Sequence, residues 1–324
     1  MKVAFVGKGG SGKTTMASLF ARRAVETGHQ VFAIDADINQ HLAAALGVDA
    51  SADLPPLGER IAEIKDYLRG TNPRIASADA MVKTTPPGAG SRLLTLADNP
   101  LYATCTRRHA GLRLAVTGGF ATDDLGVACY HSKTGAVELL LNHLVDGARE
   151  YVVVDMIAGA EAFASGMFTR FDRTFLVCEP TVRSVGVYKQ YAEYAADYDV
   201  AISVIGNKID DADDADFLRE HVGEALFACF GRSRYVKAAE RGDLQPIAAL
   251  EPGNLAVLDN ARGLVELGGK DWGKFTRQAR QFHVRNAEAW ANSRSGADLS
   301  DQIDPDFVLG PQCLDDLSGS VTVR

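Results

Sequence analysis

Two lysines share one glycine-rich stretch near the start of the chain, GKGGSGKTT at residues 7–15. Gly7, Gly12, Lys13 and Thr14 fit the spacing G-x-x-x-x-G-K-[ST]. Glycines so placed let backbone N–H groups converge on phosphate oxygens. The lysine then reaches the β- and γ-phosphates, and the hydroxyl reaches Mg²⁺. The stretch lies between an apolar run, KVAFVG, and a helical pattern, TMASLFARRAVETG. A helix starting there turns its positive end toward the same anion. Gly9, Gly10, Ser11, Gly12, Lys13, Thr14 and Thr15 are therefore expected to enclose a nucleotide's phosphates.

A phosphate loop needs carboxylates near the metal. EYVVVDM offers Asp155 and AIDAD offers Asp35 and Asp37, each at the end of an apolar run. Thr14, Asp35 and Asp155 are expected to hold Mg²⁺, directly or through water, and Asp37 to orient the attacking water. Aspartates at strand ends also shape turns, which is the alternative for Asp35 and Asp37.

The elements that must position these groups follow from the pattern of the chain. KVAFVG, QVFAID, LRLAVTGG, EYVVVDM, RTFLVCEP, VAISVIGNK and ALFACFG read as strands, with helical patterns between several of them. Near-continuous apolar strands separated by helices imply an α/β fold: a mostly parallel, doubly wound sheet with helices on both faces. Such sheets bind ligands beyond the carboxyl ends of their strands. Residues 1–291 are expected to form one domain, with 50–111 inserted over one edge. From Asn292 the chain turns polar and loses periodicity, so 292–324 is expected to be a peripheral or mobile tail.

Composition narrows the partners. With 34 basic and 42 acidic residues the net charge is −8, which argues against bulk binding to nucleic acid or an anionic membrane. No run approaches the roughly 20 apolar residues of a membrane span. No secretory signal precedes the glycine loop. The cysteines, Cys105, Cys129, Cys178, Cys229 and Cys313, are scattered and never spaced as CxxC, so a reduced, cytoplasmic protein is expected.

KGGSGKT at residues 8–14, with DAD at 35–37, resembles the deviant phosphate loop of the SIMIBI ATPases, the MinD/ParA/nitrogenase-iron-protein superclass. The resemblance implies a dimerising P-loop ATPase that uses ATP and Mg²⁺. Its first lysine, here Lys8, would reach across a two-fold interface and neutralise charge on the partner's transferring phosphate, while Lys13 serves the nucleotide of its own chain. VIGNKID places Asn207 and Lys208 where this superclass has an adenine-recognising asparagine, although Asn207 could instead form an Asx-turn at a strand end.

VVVDMIAGAE, CEPTVRSV and NKID are most similar to the CooC family, which serves nickel insertion into carbon monoxide dehydrogenase. That similarity runs to about residue 242 and implies an accessory ATPase with a metalloenzyme client. Ile38 and His41 depart from the family's DADPxxNL, and its metal-binding CxC becomes Cys129-Tyr130-His131. Cys129 and His131 could still hold Zn²⁺ or Ni²⁺ at a dimer interface; the alternative is a core cysteine and a helix-capping histidine. His109 is a weaker ligand candidate, and His143 is expected on a helix surface. The competing function is a ParA/MinD-like positioning or regulatory switch. Its support is the helix DWGKFTRQARQFHVRNAEAW, whose Trp272, Phe275, Ala279 and Phe282 share one face beside basic residues. Such a face either meets a lipid or acidic partner or packs on its own domain.

Overall fold

The computed structural model describes residues 1–49, 52–119, 130–157 and 159–314. The seven apolar runs form strands β1 (Lys2–Gly7), β2 (Gln30–Ala36), β4 (Leu112–Val116), β5 (Glu150–Met156), β6 (Arg173–Cys178), β7 (Ile202–Ile209) and β8 (Leu226–Gly231). A short strand, β3 (Arg107–His109), adds an antiparallel edge to β4. Its sequence, RRH, carries no apolar alternation, which is why the pattern does not show it. The sheet order is β3-β4-β2-β5-β1-β6-β7-β8, and every pair other than β3–β4 is parallel.

Helices cover both faces. They are α1 (Lys13–Glu26), α2 (Leu42–Ala45), α3 (Ile61–Arg69), α4 (Pro100–Cys105), α5 (Tyr130–His143), α6 (Val182–Ala195), α7 (Ala212–Val222), α8 (Arg234–Ala239), α9 (Pro252–Leu267), α10 (Trp272–Asn286) and α11 (Asn292–Ser295). Alternate residues of each central strand feed opposite cores. Val3 and Phe5 of β1 pack with Met16 and Phe20 of α1 and Leu258 and Ala261 of α9. Ala4 and Val6 face the other way, toward Ile64 of α3, Val137 and Leu140 of α5, and Val185 of α6. Phe5 stacks on Phe175 with ring centroids 5.5 Å apart, which ties β1 to β6 beneath the glycine loop.

Two regions are more deeply built in than their sequences suggest. The segment after Asp49 places Leu57, Ile64, Leu68, Ile75, Met81, Leu94, Leu101 and Tyr102 in the same core as β2 and β5. The polar tail is corrected as far as the described residues reach: a helix continues from α10 through a π-helical turn, Ala287–Ala291, into α11, so residues 291 and 292 lie mid-helix. Beyond it, Leu299 and Leu309 are buried. Gln302 accepts from Thr85 at 2.9 Å, and Arg280 donates to the carbonyls of Asp304 and Phe307 at 2.7 and 2.6 Å. Arg280 thus satisfies carbonyls that a strap without secondary structure would otherwise leave unpaired. Among the described residues, no helix is long and apolar enough to cross a membrane.

The topology selects the site. From β1 the chain fills the sheet on one side through β5, then crosses β1 to lay down β6, β7 and β8. The crevice at that reversal lies beyond Gly7, the last residue of β1. Register brings the carboxylates there, since Asp35 of β2 pairs with Asp155 of β5, and Asp155 with Phe5 of β1.

Candidate functional site

The glycine loop leaves β1 at Gly7 and enters α1 at Lys13. Gly12, the residue before α1, has φ +97, and a Cβ there would lie 2.2 Å from Asn207 Nδ2. Only glycine fits that conformation and that approach. No side chain caps α1, so its first N–H groups face the crevice, where an anion can take them up. Lys8 O accepts from Ser11 N at 3.0 Å and closes the turn that contains Gly9 and Gly10. Thr15 lies one step further into α1, where its carbonyl accepts from Ser18 Oγ at 2.9 Å.

Lys13 is buried and its ammonium donates to Asp37, with Asp155 Oδ1 at 3.8 Å. Thr14 Oγ1 donates to Asp155 Oδ2 at 2.6 Å. Asp155 Oδ1 has no hydrogen-bond partner among the described residues. Burial pushes the Asp155 carboxyl up to about 6, against the opposing pull of Lys13 and Thr14. A hydroxyl and an underused carboxylate beside the phosphate loop form a hard-oxygen donor set that fits Mg²⁺. That ion usually takes one or two protein oxygens together with phosphates and water.

Asp35 is engaged by backbone amides. Its two oxygens accept from the backbone N–H groups of Asp37, at 3.1 Å, and Leu42, at 2.8 Å. It is fully buried, and burial, followed by the charge of Asp155, pushes it up to about 7. The geometry is that of a loop organiser that orients Asp37, in line with the turn-forming alternative. Asp37 itself lies in the crevice, where its Oδ1 accepts from the Asn39 backbone at 2.9 Å and side chain at 3.0 Å.

Asn207 lies against the phosphate loop. Its Nδ2 donates to Ser11 O at 2.7 Å, so the amide braces the phosphate loop from β7. Lys208, with φ +62, turns back to donate to Gly10 O at 2.8 Å and to Glu179 Oε1 at 2.7 Å. Glu179 Oε2 lies 3.5 Å from Lys8 Nζ. Sequence reasoning did not single out Glu179 or Asn39. The position of Glu179 after the β6 run, in CEPTVRS, was the available signal.

Cys129 lies outside the described residues, as does the side chain of His131. Among the described residues, no group of three or more His, Cys, Asp or Glu could hold a metal ion. His109 shares a hydrogen bond of 3.1 Å with Leu46 O. His143 is fully buried, not on a helix surface; its Nδ1 bonds to Leu139 O at 2.9 Å, and burial lowers its pKa to about 4. The aromatic side of α10 packs inward. Phe275 and Ala279 are buried, and Phe282 meets Phe168 and Tyr198 at centroid distances of 5.5 and 5.3 Å.

Residues 3–242 match the family described as CobQ/CobB/MinD/ParA nucleotide binding domain. The carbon monoxide dehydrogenase accessory protein CooC of Rhodospirillum rubrum is 30% identical over 244 residues, covering 75% of this chain and 87% of that protein. An ATP-binding protein of Methanocaldococcus jannaschii is 30% identical over 227 residues, covering 70% of this chain and 81% of its own length. Among solved structures, the septum site-determining protein MinD with Mg-ADP from Pyrococcus horikoshii aligns at TM-score 0.55 and 14% identity, covering 84% of this chain and all of that one. A complex of a Cyanothece McdA variant with ATP aligns at TM-score 0.53 and 18% identity, over 81% and 96% of the two chains. At those identities the structural likeness speaks for the fold.

Proposed function

The chain belongs to the CobQ/CobB/MinD/ParA nucleotide-binding family, and from that premise we propose that it is a Mg-ATP-dependent ATPase that dimerises and acts as an accessory switch for a metalloenzyme. One observation carries the ATPase reading. Lys13, Thr14, Asp37 and Asp155 converge at the carboxyl ends of three adjacent strands, in front of the uncapped end of α1.

In this reading the α1 N–H groups and Lys13 bind the phosphates, so Lys13 must exchange Asp37 for a phosphate oxygen. Freed from the lysine, the Asp37 carboxylate can accept a hydrogen bond from a water and orient it. Thr14 and Asp155 hold Mg²⁺, which neutralises charge on the phosphates when bound. Asn207 and Lys208 fix the loop backbone, so that little reorganisation remains at the moment of reaction. Lys8 extends to the partner's nucleotide and supplies a second cation there.

Phosphate release and sedimentation with ATP and Mg²⁺ test this. Lys13→Ala should abolish nucleotide binding. Lys8→Ala should bind ATP yet neither dimerise nor turn over. Wild-type turnover by Lys8→Ala would rule out the lysine in trans.

The metalloenzyme client rests on the likeness to CooC. It extends to Cys129 and His131, which from two chains would make a zinc site of two thiolates and two imidazoles. Metal analysis of untagged protein with ADP and with a non-hydrolysable ATP analogue tests that part, stoichiometric metal lost in Cys129→Ser being the expected result. The membrane-binding form of the alternative loses its support from α10, whose aromatic side is turned inward.

A further inference from the structure

Lys8 touches little. Among the described residues its ammonium meets the carbonyl of its neighbour Gly9 at 3.2 Å and, on another element, only Glu179 Oε2 at 3.5 Å. Glu179 is much better fixed. It follows β6, its backbone N–H donates to Ser184 Oγ at 3.0 Å, and its carbonyl accepts from Thr181 N at 2.7 Å. Its other carboxylate oxygen holds Lys208 at 2.7 Å, and Lys208 holds Gly10 O. One carboxylate therefore serves two ammonium groups, and both lead into the phosphate loop. Burial alone would raise Glu179, but Lys208 and then Lys8 outweigh it and hold the carboxyl below its ordinary range.

We infer that Glu179 is a positioning residue that tethers Lys8 within its own chain and so sets how readily this lysine extends into a second active site. The inference rests on the trans role of Lys8 proposed above. Lys8 cannot reach another chain's nucleotide while it faces Glu179, so each dimer that forms must release two such contacts. The Lys8 side chain is 34% exposed and that of Glu179 17%, so the contact is a partly solvated ion pair. Pairs of that kind are weak. A weak tether delays extension without preventing it, which suits a switch. Lys208 competes for the same carboxylate, so its removal should strengthen the tether while loosening the loop.

Two variants separate these effects. Amine acylation of nucleotide-free, dilute protein, read by mass spectrometry at Lys8, reports the tether without any dimer. In Glu179→Gln, Lys8 loses its anionic partner and should acylate roughly two- to fivefold faster, the size of a part-exposed pair. In Lys208→Gln it should acylate more slowly. Sedimentation with ATP and Mg²⁺ should show a dimer dissociation constant roughly 4- to 25-fold lower in Glu179→Gln, two tethers being absent per dimer, and a higher one in Lys208→Gln. In a Lys8→Ala background, Glu179→Gln should leave the constant unmoved. Thermal melts confirm that each variant is folded. Unchanged Lys8 acylation in Glu179→Gln, or a shift of the same sign in both variants, overturns the tether. Wild-type dimerisation by Lys8→Ala would instead overturn the trans reading, and the acylation result would still decide the tether.

Discussion

Lys13 and Asp37 neutralise each other in the crevice, and that pairing makes testable demands on single residues. A phosphate must displace the Asp37 carboxylate from Lys13. Asp37→Ala should therefore tighten ATP binding several-fold while lowering turnover by about a hundredfold or more, since the water loses its orienting group. Weaker ATP binding together with retained turnover would contradict both roles given to Asp37. Asn207 allows a cleaner contrast. If it braces the loop through Ser11 O, Asn207→Ala should weaken ATP and GTP alike, by roughly tenfold for the loss of a buried amide contact. If it reads adenine instead, the variant should lose discrimination between the two bases and little else. Competition binding with both nucleotides separates the two results.

At the scale of elements, α5 carries a buried acid whose titration should be visible. Burial raises Glu138 from 4.5 to about 7, with Lys83 and Arg170 opposing, and its Oε2 has no hydrogen-bond partner among the described residues. Between those two pH values the folded chain holds a proton that the unfolded chain has lost. Stability therefore falls as pH rises through this window, and the penalty is complete above pH 7. Glu138→Gln removes the charge at nearly constant shape. It should stabilise the fold at pH 8 by about 1–3 kcal/mol and give no gain at pH 4. Urea unfolding at the two pH values is the measurement, and equal gains at both would discount the burial argument. Helix α1 is similarly sensitive at its start. Gly12→Ala introduces a Cβ against Asn207 at φ +97 and should abolish nucleotide binding even where circular dichroism shows a folded protein.

The whole molecule extends beyond the family's shared part. The family match ends at residue 242, yet α9 joins the core around Val3 and Phe5, and Ala287, Ala291 and Leu299 form a smaller cluster of their own. His283 is buried, and its ring joins Thr84 at 3.3 Å to Leu299 O at 2.8 Å, so a ring nitrogen faces each side of the strap contact. Ending the chain after residue 291 would expose the sites of Leu299 and Leu309 and leave His283, Thr276 and Arg280 without their partners in the strap. That truncation should cost about 3 kcal/mol or more from the two leucines alone. Differential scanning fluorimetry and limited proteolysis would show it, and an unchanged melting temperature would return this segment to the status of a dispensable tail.

What the sequence determined by itself is local in origin. A phosphate loop is a contiguous motif, and KVAFVG, EYVVVDM and their like are strands because unbroken apolar β-formers fit a sheet buried on both faces. The parallel sheet, the glycine loop, Lys13, Thr14 and the candidate carboxylates were therefore legible from spacing alone. Tertiary structure decided whatever depends on partners distant in sequence. Asn207 meets Ser11 across 196 residues of chain. Glu179 lies between two lysines because β6 lies between β1 and β7. No window of sequence contains those distances. The strap illustrates the same point, since residues 292–314 have no periodicity of their own and are ordered by α10 and by the loop around Thr84 and Thr85. A side chain's type states which bonds it can make, but only the fold determines which of its potential partners is near enough to make them.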